Sequence, residues 1–442
     1  MHSIESFQTN ILKKSIKFID QSLKKNIDIG TSPLCFLTPW ATSPGKFKLD
    51  LIMKKKIEFK SIFKNILNIS KNHDLNVFFN KNMKTNNNFD IIVSYATKKN
   101  FDSRGNYFDN YFDLGFNHKR IVWLLISLDN YVPSNIQKNI YIISKNKNQS
   151  LSFFYLIKKI LKLIYKSKLN KNFLIHYCWY EYDFAEKISN IFVELFSTNK
   201  IKNVIFNYEC IPFQNKLLKT IKKINKNIKT IGYLHCAPWP LQTDLIYRKF
   251  LLDILLVSGE DQKKVLKEYL GWKNVDIRVI PSLRFKKKKS KEFNGFIFIP
   301  YNLKSINNYV ERFEEFIKTC RFNLSNLKVR IHPLNQNSKT HRVLKEKFDK
   351  LLRKYAKHFE KKNSNISIFF GSATGVCVQA LEEGNKIIHF PDNEIDVFSN
   401  KIWKNIKINS IQNNIFSYEI KNFNKIFYTS YENNRFKKYV PI

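Results

Sequence analysis

Short apolar runs alternate with longer amphipathic runs along most of the chain, and this alternation predicts an α/β fold. Runs such as Asp90–Ser94 and Arg120–Leu125 are typical of strands buried on both faces of a parallel sheet. Runs such as Pro212–Ile224 have the period of crossover helices. The same pattern predicts further strands at 139–143, 172–177, 202–206, 229–233, 277–280, 296–300, 327–331, 366–370 and 386–390, and helices at 310–321, 342–359 and 375–383.

A charged stretch interrupts the alternation and marks a domain boundary. It runs from Lys286 to Glu292, between a strand that ends at Pro281 and one that starts at Phe296. We therefore predict two Rossmann-like α/β domains facing a cleft. Their bounds are 1–285 for the N-terminal domain, 286–295 for a basic linker, 296–426 for the C-terminal domain and 427–442 for a tail that packs back across both domains.

Composition excludes several classes of protein. The 442 residues are 43% hydrophobic and 15% aromatic, which is enough for a large core and excludes a disordered chain. The sequence contains no apolar run of about 18 residues, so no membrane-spanning helix is predicted. The N-terminus lacks the pattern of a secretory signal. We expect a cytoplasmic protein. A basic helix over 152–168 suggests peripheral contact with the inner face of the membrane, although an ordinary surface helix explains the same pattern.

The net charge of +40 normally points to a nucleic-acid partner. Only 11 of the 76 basic residues are Arg, the side chain that forks onto phosphates and guanine edges. Lys, Asn, Ile and Phe are abundant together, so compositional bias explains the charge better, and no nucleic-acid partner is expected. The six Cys are scattered without a Cys-x-x-Cys pair, and no Asp-x-Asp triplet is present. We therefore expect reduced thiols, no disulfide and no metal site.

A glycine-containing turn in the C-terminal domain predicts an anion site. Gly371-Ser372-Ala373-Thr374-Gly375 joins a strand to a helix, and Gly384 closes that helix. Amides at a helix N-terminus, with the hydroxyls of Ser372 and Thr374, suit a phosphate. The alternative is that Thr374 only caps the helix.

His332 follows the strand at 327–331, and Pro333 ends that strand. Ligands of open α/β sheets bind beyond the carboxyl ends of strands. His332 would therefore lie at the same edge as the glycine-containing turn and contact a phosphate, unless it only caps a loop. We also expect Tyr301 and Asn302, which follow the strand at 296–300, to bind the same phosphate-containing ligand.

Glu209 and His235 follow two consecutive strands of one βαβ unit in the N-terminal domain. A carboxylate and an imidazole at one crevice are candidates for general-base catalysis on a hydroxyl group. The alternative for Glu209 is to cap the helix that starts near Pro212.

The order of these motifs resembles that of bacterial surface-carbohydrate biosynthesis proteins with a GT-B fold. This group includes capsule glycosyltransferases, sialyltransferases and teichoic-acid glycerophosphotransferases, which share a His-Pro motif and a Ser/Thr-rich nucleotide-binding turn. The resemblance covers roughly 90–391, and its segments here are Tyr208-Glu209, Gly232-Tyr233-Leu234-His235, Asp253–Gly259, His332-Pro333 and Gly371–Gly384. It implies that Arg330, His332, Ser372 and Thr374 bind the donor's phosphates and that Glu209 and His235 face the acceptor.

The resemblance implies a metal-independent glycosyltransferase that uses a nucleotide-sugar, a CMP-linked one by the His-Pro motif, and a glycan or lipid-linked acceptor of capsule or lipopolysaccharide. Gln379 stands where many retaining members carry Glu, which favours an inverting reaction. No cofactor beyond the co-substrate is expected. Two alternatives remain open: a CDP-alcohol phosphotransferase on the same fold, and a non-catalytic carbohydrate- or membrane-associated scaffold.

Overall fold

The computed structural model describes residues 2–24, 74–80, 89–112, 120–145, 157, 160–161, 165, 180–247, 252–283, 295–319, 322–324, 326–356, 365–372, 375–423 and 428. In this part of the chain the architecture is mixed α/β, with two mostly parallel sheets. The first sheet has eight strands: β1 (Leu75–Phe79), β2 (Phe89–Ala96), β3 (Ile121–Ser127), β4 (Ile140–Lys145), β5 (Ile201–Tyr208), β6 (Lys229–Leu234), β7 (Ile254–Val257) and β8 (Asp276–Val279).

The first sheet is doubly wound. Its strand order is β1-β4-β3-β2-β5-β6-β7-β8, and β1 alone pairs antiparallel, with β4. From β2 the chain adds β3 and β4 on one side, and then returns to add β5 to β8 on the other. The order therefore reverses between β2 and β5, and such a switch point is where open α/β sheets bind ligands. Helix α1 (His2–Lys24) packs against the segment at 394–397, where Gln8 Nε2 donates to the carbonyl oxygens of Glu394 at 2.8 Å and Val397 at 2.7 Å. The helices described between strands of the first sheet are α2 (Tyr180–Phe196), α3 (Pro212–Ile224) and α4 (Glu260–Glu268).

The second sheet has six described strands: β9 (Phe296–Phe298), β10 (Lys328–Arg330), β11 (Ile366–Phe370), β12 (Lys386–Phe390), β13 (Ile406–Gln412) and β14 (Ile415–Ile420). Its order is β10-β9-β11-β12-β14-β13, and the first four strands are parallel. Its switch point lies between β9 and β11. The accompanying helices are α5 (Ile306–Thr319), α6 (Lys339–Lys354) and α7 (Gly375–Glu382).

Aromatic side chains fill the core between the second sheet and helices α5 and α6. The Phe370 and Phe390 rings stack with centroids 4.4 Å apart, and Phe313 meets both rings edge-on. Offset and edge-to-face arrangements are the favourable geometries for aromatic pairs. The ends of β11 and β12 are thus held by one rigid cluster, which fixes where the following residues leave the sheet.

The two sheets share a continuous apolar core. Leu255 and Val257 of the first sheet belong to the same buried cluster as Phe369 and Ile387 of the second. Buried polar contacts join them as well: Trp403 Nε1 donates to the carbonyl oxygen of Pro240 at 2.8 Å. A second such contact runs from the backbone N–H of Asn405 to Asp261 Oδ2, at 2.7 Å.

The predicted α/β alternation is confirmed, and the predicted bounds of β11, β12 and α3 agree with the structure. Helix α6 begins at Lys339, three residues before the predicted start, with Ser338 as its N-cap residue. The sequence patterns did not predict α1, β1 or the β13–β14 hairpin. The predicted strand at 172–177 lies outside the described residues. Of the predicted helix at 152–168, residues 157, 160, 161 and 165 are described, and they are helical.

Tested over the described residues, no helix combines the length and the apolar character needed to cross a membrane.

Candidate functional site

The pairing of β5 with β6 brings Glu209 and His235 together. Tyr208 and Leu234, the last residues of these parallel strands, are direct partners in the register. Glu209 directly follows β5 and His235 directly follows β6, so both residues leave the sheet at the same edge. Strand β2, on the other side of β5, ends nearby at Ala96. The pair thus lies beside the switch point of the first sheet.

Three side chains form a compact group that we call the Glu209 cluster: Glu209, His235 and Cys236. His235 Nε2 lies 3.1 Å from Glu209 Oε1 and 3.3 Å from Cys236 Sγ. Cys236 Sγ lies 3.6 Å from Glu209 Oε1. His235 is buried, whereas Glu209 and Cys236 are partly exposed, so solvent or a ligand reaches the cluster from one side.

Glu209 does not cap helix α3, so this alternative is wrong. The N-cap residue is Ile211. Gln214 fixes the turn instead: its Oε1 accepts the backbone N–H of Glu209 at 2.8 Å, and its Nε2 donates to the Asn207 carbonyl at 2.6 Å. Between them Cys210 adopts a left-handed φ of 61°. The carboxylate is left to face His235.

The surroundings of the Glu209 cluster keep its carboxylate ionised. Burial alone would raise the pKa of Glu209, but hydrogen bonds from His235, Cys236 and Tyr95 and the charge of His235 together lower it. Tyr95 Oη donates to Glu209 Oε2 at 3.4 Å. Burial, and then the charge of Glu209, raise the pKa of Tyr95 far above its usual value, so this phenol keeps its proton.

Aromatic rings line the cluster. The Tyr111 ring meets the His235 imidazole edge-on at a centroid distance of 4.8 Å. Tyr95 in turn packs edge-on against Tyr111 and Phe213. Tyr95 and Tyr111 were not among the residues predicted from sequence. A tyrosine near the end of β2 and another in the loop after it give no functional signal in the sequence alone. Their position at the cluster follows only from the pairing of β2 with β5.

His332 lies at the carboxyl edge of the second sheet, two residues beyond the end of β10. Its imidazole meets the Tyr301 ring edge-on at 5.0 Å. Burial, and then the charge of His341, lower the pKa of His332, so the ring is neutral at neutral pH. His341, which sequence analysis did not single out, is buried with Nε2 3.2 Å from the carbonyl oxygens of both Pro300 and Tyr301. It thereby fixes the loop that carries Tyr301.

The other predicted donor-binding residues around β9 and β10 are dispersed. Arg330 ends β10, and its guanidinium stacks over the Phe296 and Phe298 rings at 5.5 and 5.9 Å. Pro333 begins a short 3₁₀ turn and is exposed, as is Asn302. The structure therefore places Arg330 along the face of the sheet, while Tyr301 and His332 stand together at its edge.

Two of the expected anion donors at the glycine-containing turn are engaged elsewhere. The N–H of Gly371 donates to the Phe390 carbonyl at 2.8 Å. Ser372 Oγ donates to Asp396 Oδ1 at 2.8 Å, and burial raises the pKa of that carboxyl group. Thr374 lies outside the described residues. The amides that start α7 at Gly375 therefore remain as the described anion donors of this turn.

The start of α7 faces the Glu209 cluster. A Cβ placed on Gly375 would lie 3.5 Å from the Cβ of Ala237, which directly follows Cys236. Tyr428 links the same strand end to the opposite end of α7: its hydroxyl donates to the carbonyl of His235 at 3.1 Å, and its N–H donates to Oε1 of Glu382, the last residue of α7, at 2.8 Å. The sites predicted separately on the two sheets are thus adjacent in space.

Acidic residues after β12 form a part of the second site that sequence analysis missed. Asp392 accepts hydrogen bonds from Tyr309 Oη at 2.8 and 3.0 Å, and its Oδ2 lies 3.5 Å from Lys304 Nζ. Asp396 is buried beneath Ser372. Both residues follow the carboxyl end of a parallel strand. The sequence signal for this part of the site is the polar run at 391–396 directly after an apolar strand.

A scan against protein-family models and a search of curated proteins give no match to this chain. The geometry of the two sheet edges is therefore the basis on which a function can be assigned.

Proposed function

We propose that this chain is a GT-B-like glycosyltransferase. It transfers a sugar from a nucleotide-activated donor to a hydroxyl group of a carbohydrate or lipid-linked acceptor, as surface-polysaccharide synthesis requires. One observation carries the proposal. An ionised carboxylate stands beside an imidazole next to the switch point of one doubly wound sheet, and Ala237, two residues after that imidazole, packs against Gly375, the first residue of the helix that follows the switch point of the other sheet.

Glu209 is the base in this proposal. It removes the proton from the acceptor hydroxyl, the oxygen attacks the anomeric carbon of the donor, and the bond from that carbon to the nucleotide phosphate breaks. His235 Nε2 is already occupied by Glu209 and Cys236, so its role is to orient the carboxylate. A single displacement of this kind inverts the anomeric configuration. Gln379 on α7 carries no carboxylate that would serve as the nucleophile of a double displacement.

The donor phosphates belong at the start of α7 in this scheme. Amides at a helix N-terminus and the helix dipole favour an anion there. His332, neutral and half-buried at the same sheet edge, supplies one N–H to the leaving phosphate. The expected hydroxyl contribution of Ser372 becomes indirect, because its proton is held by Asp396.

The acceptor side is built for a sugar. Tyr95 and Tyr111 stand at the cluster with their rings against His235 and Phe213, and aromatic faces and edges give apolar contact to pyranose rings while leaving hydroxyls to polar groups. Peripheral membrane contact through 152–168 is part of the proposal. The exposure of Leu161 (61%) and Tyr165 (85%) supports it, because both are apolar or aromatic side chains that a membrane interface would cover.

The test has two stages. A thermal-shift panel of CMP, CDP, UDP and GDP identifies the nucleotide, because a ligand that binds the native state raises the melting temperature. The matching nucleotide-sugars are then incubated with oligosaccharide acceptors, and nucleotide release and the product bond are measured. A glycosidic product supports the proposal, and a phosphodiester product would instead identify a phosphotransferase. Absence of both nucleotide binding and release contradicts both enzymes.

The Glu209→Gln variant tests the assignment of the base. It should lower the transfer rate by about 10²- to 10⁴-fold, the usual contribution of a general base, while the nucleotide still raises the melting temperature as in wild type. Glu268→Gln is the matched control, because Glu268 is an exposed residue at the end of α4 that pairs only loosely with Lys264, at 3.8 Å. Equal rates for the two variants would remove Glu209 from the mechanism.

A further inference from the structure

The Glu209 cluster has the chemistry of a transition-metal site. A carboxylate oxygen, an imidazole nitrogen and a thiol sulfur are the three ligand types that Zn²⁺ takes in proteins. They come from two strand ends held in register by the β5–β6 pairing, so the ligand atoms do not depend on a mobile loop. A search of the described residues for three or more His, Cys or acidic side chains with clustered ligand atoms finds these three, whose ligand atoms all lie within 4.8 Å of one another.

The separations of the ligand atoms match one face of a zinc tetrahedron. Bonds of about 2.0 Å to oxygen and nitrogen and about 2.3 Å to sulfur, at tetrahedral angles, place N and O about 3.3 Å apart, S and O about 3.5 Å apart and N and S about 3.5 Å apart. The observed distances are 3.1, 3.6 and 3.3 Å in the same order. Each agrees to within about 0.3 Å, which is a small side-chain adjustment.

The groups around the cluster hold the ligands as metal sites require. Tyr95 donates to the second oxygen of Glu209, so Oε1 is the oxygen left for a metal. The Tyr111 ring and the hydrogen bond from Tyr428 to the His235 carbonyl fix the imidazole and its backbone. His235 Nδ1 is buried and has no hydrogen-bond partner among the described residues, so packing orients this ring rather than the outer acceptor that most zinc-bound imidazoles have.

We infer that Glu209 Oε1, His235 Nε2 and Cys236 Sγ bind one Zn²⁺ ion, with the fourth position open toward the exposed side of the cluster. Three protein ligands and one open position are typical of zinc sites that bind an exogenous ligand. Binding releases the proton of the Cys236 thiol to solvent and requires the His235 tautomer with its proton on Nδ1, so that Nε2 donates its lone pair to the metal. The inference does not depend on the proposed transfer reaction.

The experiment is a titration of the reduced, full-length chain with Co²⁺ and Zn²⁺ in the absence of any nucleotide. Co²⁺ should give a thiolate charge-transfer band and the visible bands of a tetrahedral site, and one equivalent of Zn²⁺ should abolish them. Cys236→Ser should eliminate the charge-transfer band. Cys236→Ser and His235→Gln should each weaken zinc binding by about 100-fold or more, since even residues that only support a ligand are typically worth 10- to 100-fold.

Cys377→Ala is the matched control, because it removes a buried thiol on α7 outside the cluster and should leave both spectra and affinity unchanged. Tyr95→Phe keeps all three ligands and should weaken binding by about 10-fold through the loss of one supporting hydrogen bond, which keeps the inference testable if a ligand variant does not fold. Absence of zinc binding by the wild type, or an unchanged charge-transfer band in a folded Cys236→Ser variant, would overturn it.

Discussion

His389 and Gly371 are joined across the second sheet by a hydrogen bond of 2.6 Å from the imidazole Nε2–H to the glycine carbonyl. His389 Nδ1 accepts from Tyr418 Oη at 2.8 Å, so the buried ring is neutral and both its nitrogens are used. Burial lowers the pKa of His389 to about 4. The glycine-containing turn thus depends on a residue of β12 that has no place in the proposed chemistry.

This relationship makes stability sensitive to acid. In the unfolded chain the pKa of His389 is 6.5, so between pH 6.5 and about 4 the unfolded state binds a proton that the native state does not. Stability therefore falls as the pH is lowered through this window. From pH 7 to pH 5 the His389 contribution to this loss is about 2 kcal/mol. Urea unfolding of wild type and His389→Gln at both pH values should show a smaller loss in the variant; equal losses would contradict the assignment.

Gly371→Ala should destabilise the protein more than Gly384→Ala. Both glycines have left-handed φ angles, +79° and +82°, and a side chain there costs about 1–2 kcal/mol. At Gly384 the nearest atom to an added Cβ lies 4.0 Å away, whereas at Gly371 the Pro300 Cβ would lie at 2.7 Å. Urea unfolding of both variants separates the conformational cost from the clash. Equal changes would show that the close approach of Pro300 to Gly371 carries no energy.

The neutral state of His332 predicts the outcome of two substitutions. If His332 gives one N–H to the donor phosphate, His332→Ala should weaken nucleotide binding by about 10-fold or more, since a hydrogen bond to a charged group is worth about 1.5–3 kcal/mol. His332→Gln keeps an N–H donor and should retain most of the affinity. Isothermal titration with the nucleotide that the thermal-shift panel selects provides the measurement. Equal losses in both variants would point to a requirement for the imidazole itself.

Zinc and sugar transfer should oppose each other, because the proposed base and the inferred metal ligand are the same carboxylate. Adding Zn²⁺ to an active preparation should suppress nucleotide release, and a chelator should restore it. In Cys236→Ser, about 100-fold more Zn²⁺ should be needed for the same suppression. Transfer that is stimulated by Zn²⁺ would show that the metal-bound cluster is the active form and would exclude Glu209 as the base.

Most of the parallel strands followed from sequence because buried strands are continuous apolar runs. β3 is the plainest case: six apolar residues, 121–126, lie between Arg120 and Ser127. The β13–β14 hairpin was missed because its strands alternate polar and apolar residues and join through Asn413-Asn414, with Asn414 at a φ of 57°. Helix α1 was not predicted, although Ile4, Ile11 and Leu12 have helical spacing, because the polar residues Gln8 and Ser15 occupy buried positions on the same face and interrupt the apolar stripe.

The site was predictable only where one strand pair determined it. Glu209 and His235 follow consecutive strands, so local order was enough to place them together. Cys236 directly follows His235, so the same strand pair brings it to Glu209, but a lone thiol without a Cys-x-x-Cys spacing gives no sequence signal for such a contact. The contact of Tyr95 could not be predicted, because it depends on the reversal of strand order between β2 and β5. The hydrogen bonds of Gly371 and Ser372 depend on β12 and on the residues after it, which no pattern near 371–375 reveals.

The site is complete only after Tyr428 has been synthesised. This residue is fully buried, its carbonyl accepts the N–H of Ser282, and it also contacts His235 and Glu382. A nascent chain that has emerged only as far as Asp396 already holds the described residues of both sheet edges, yet the His235 carbonyl and the Glu382 carboxylate still lack the partner that Tyr428 provides. A chain cut before Tyr428 would need a peptide that contains this residue, supplied in trans, to assemble the same interior.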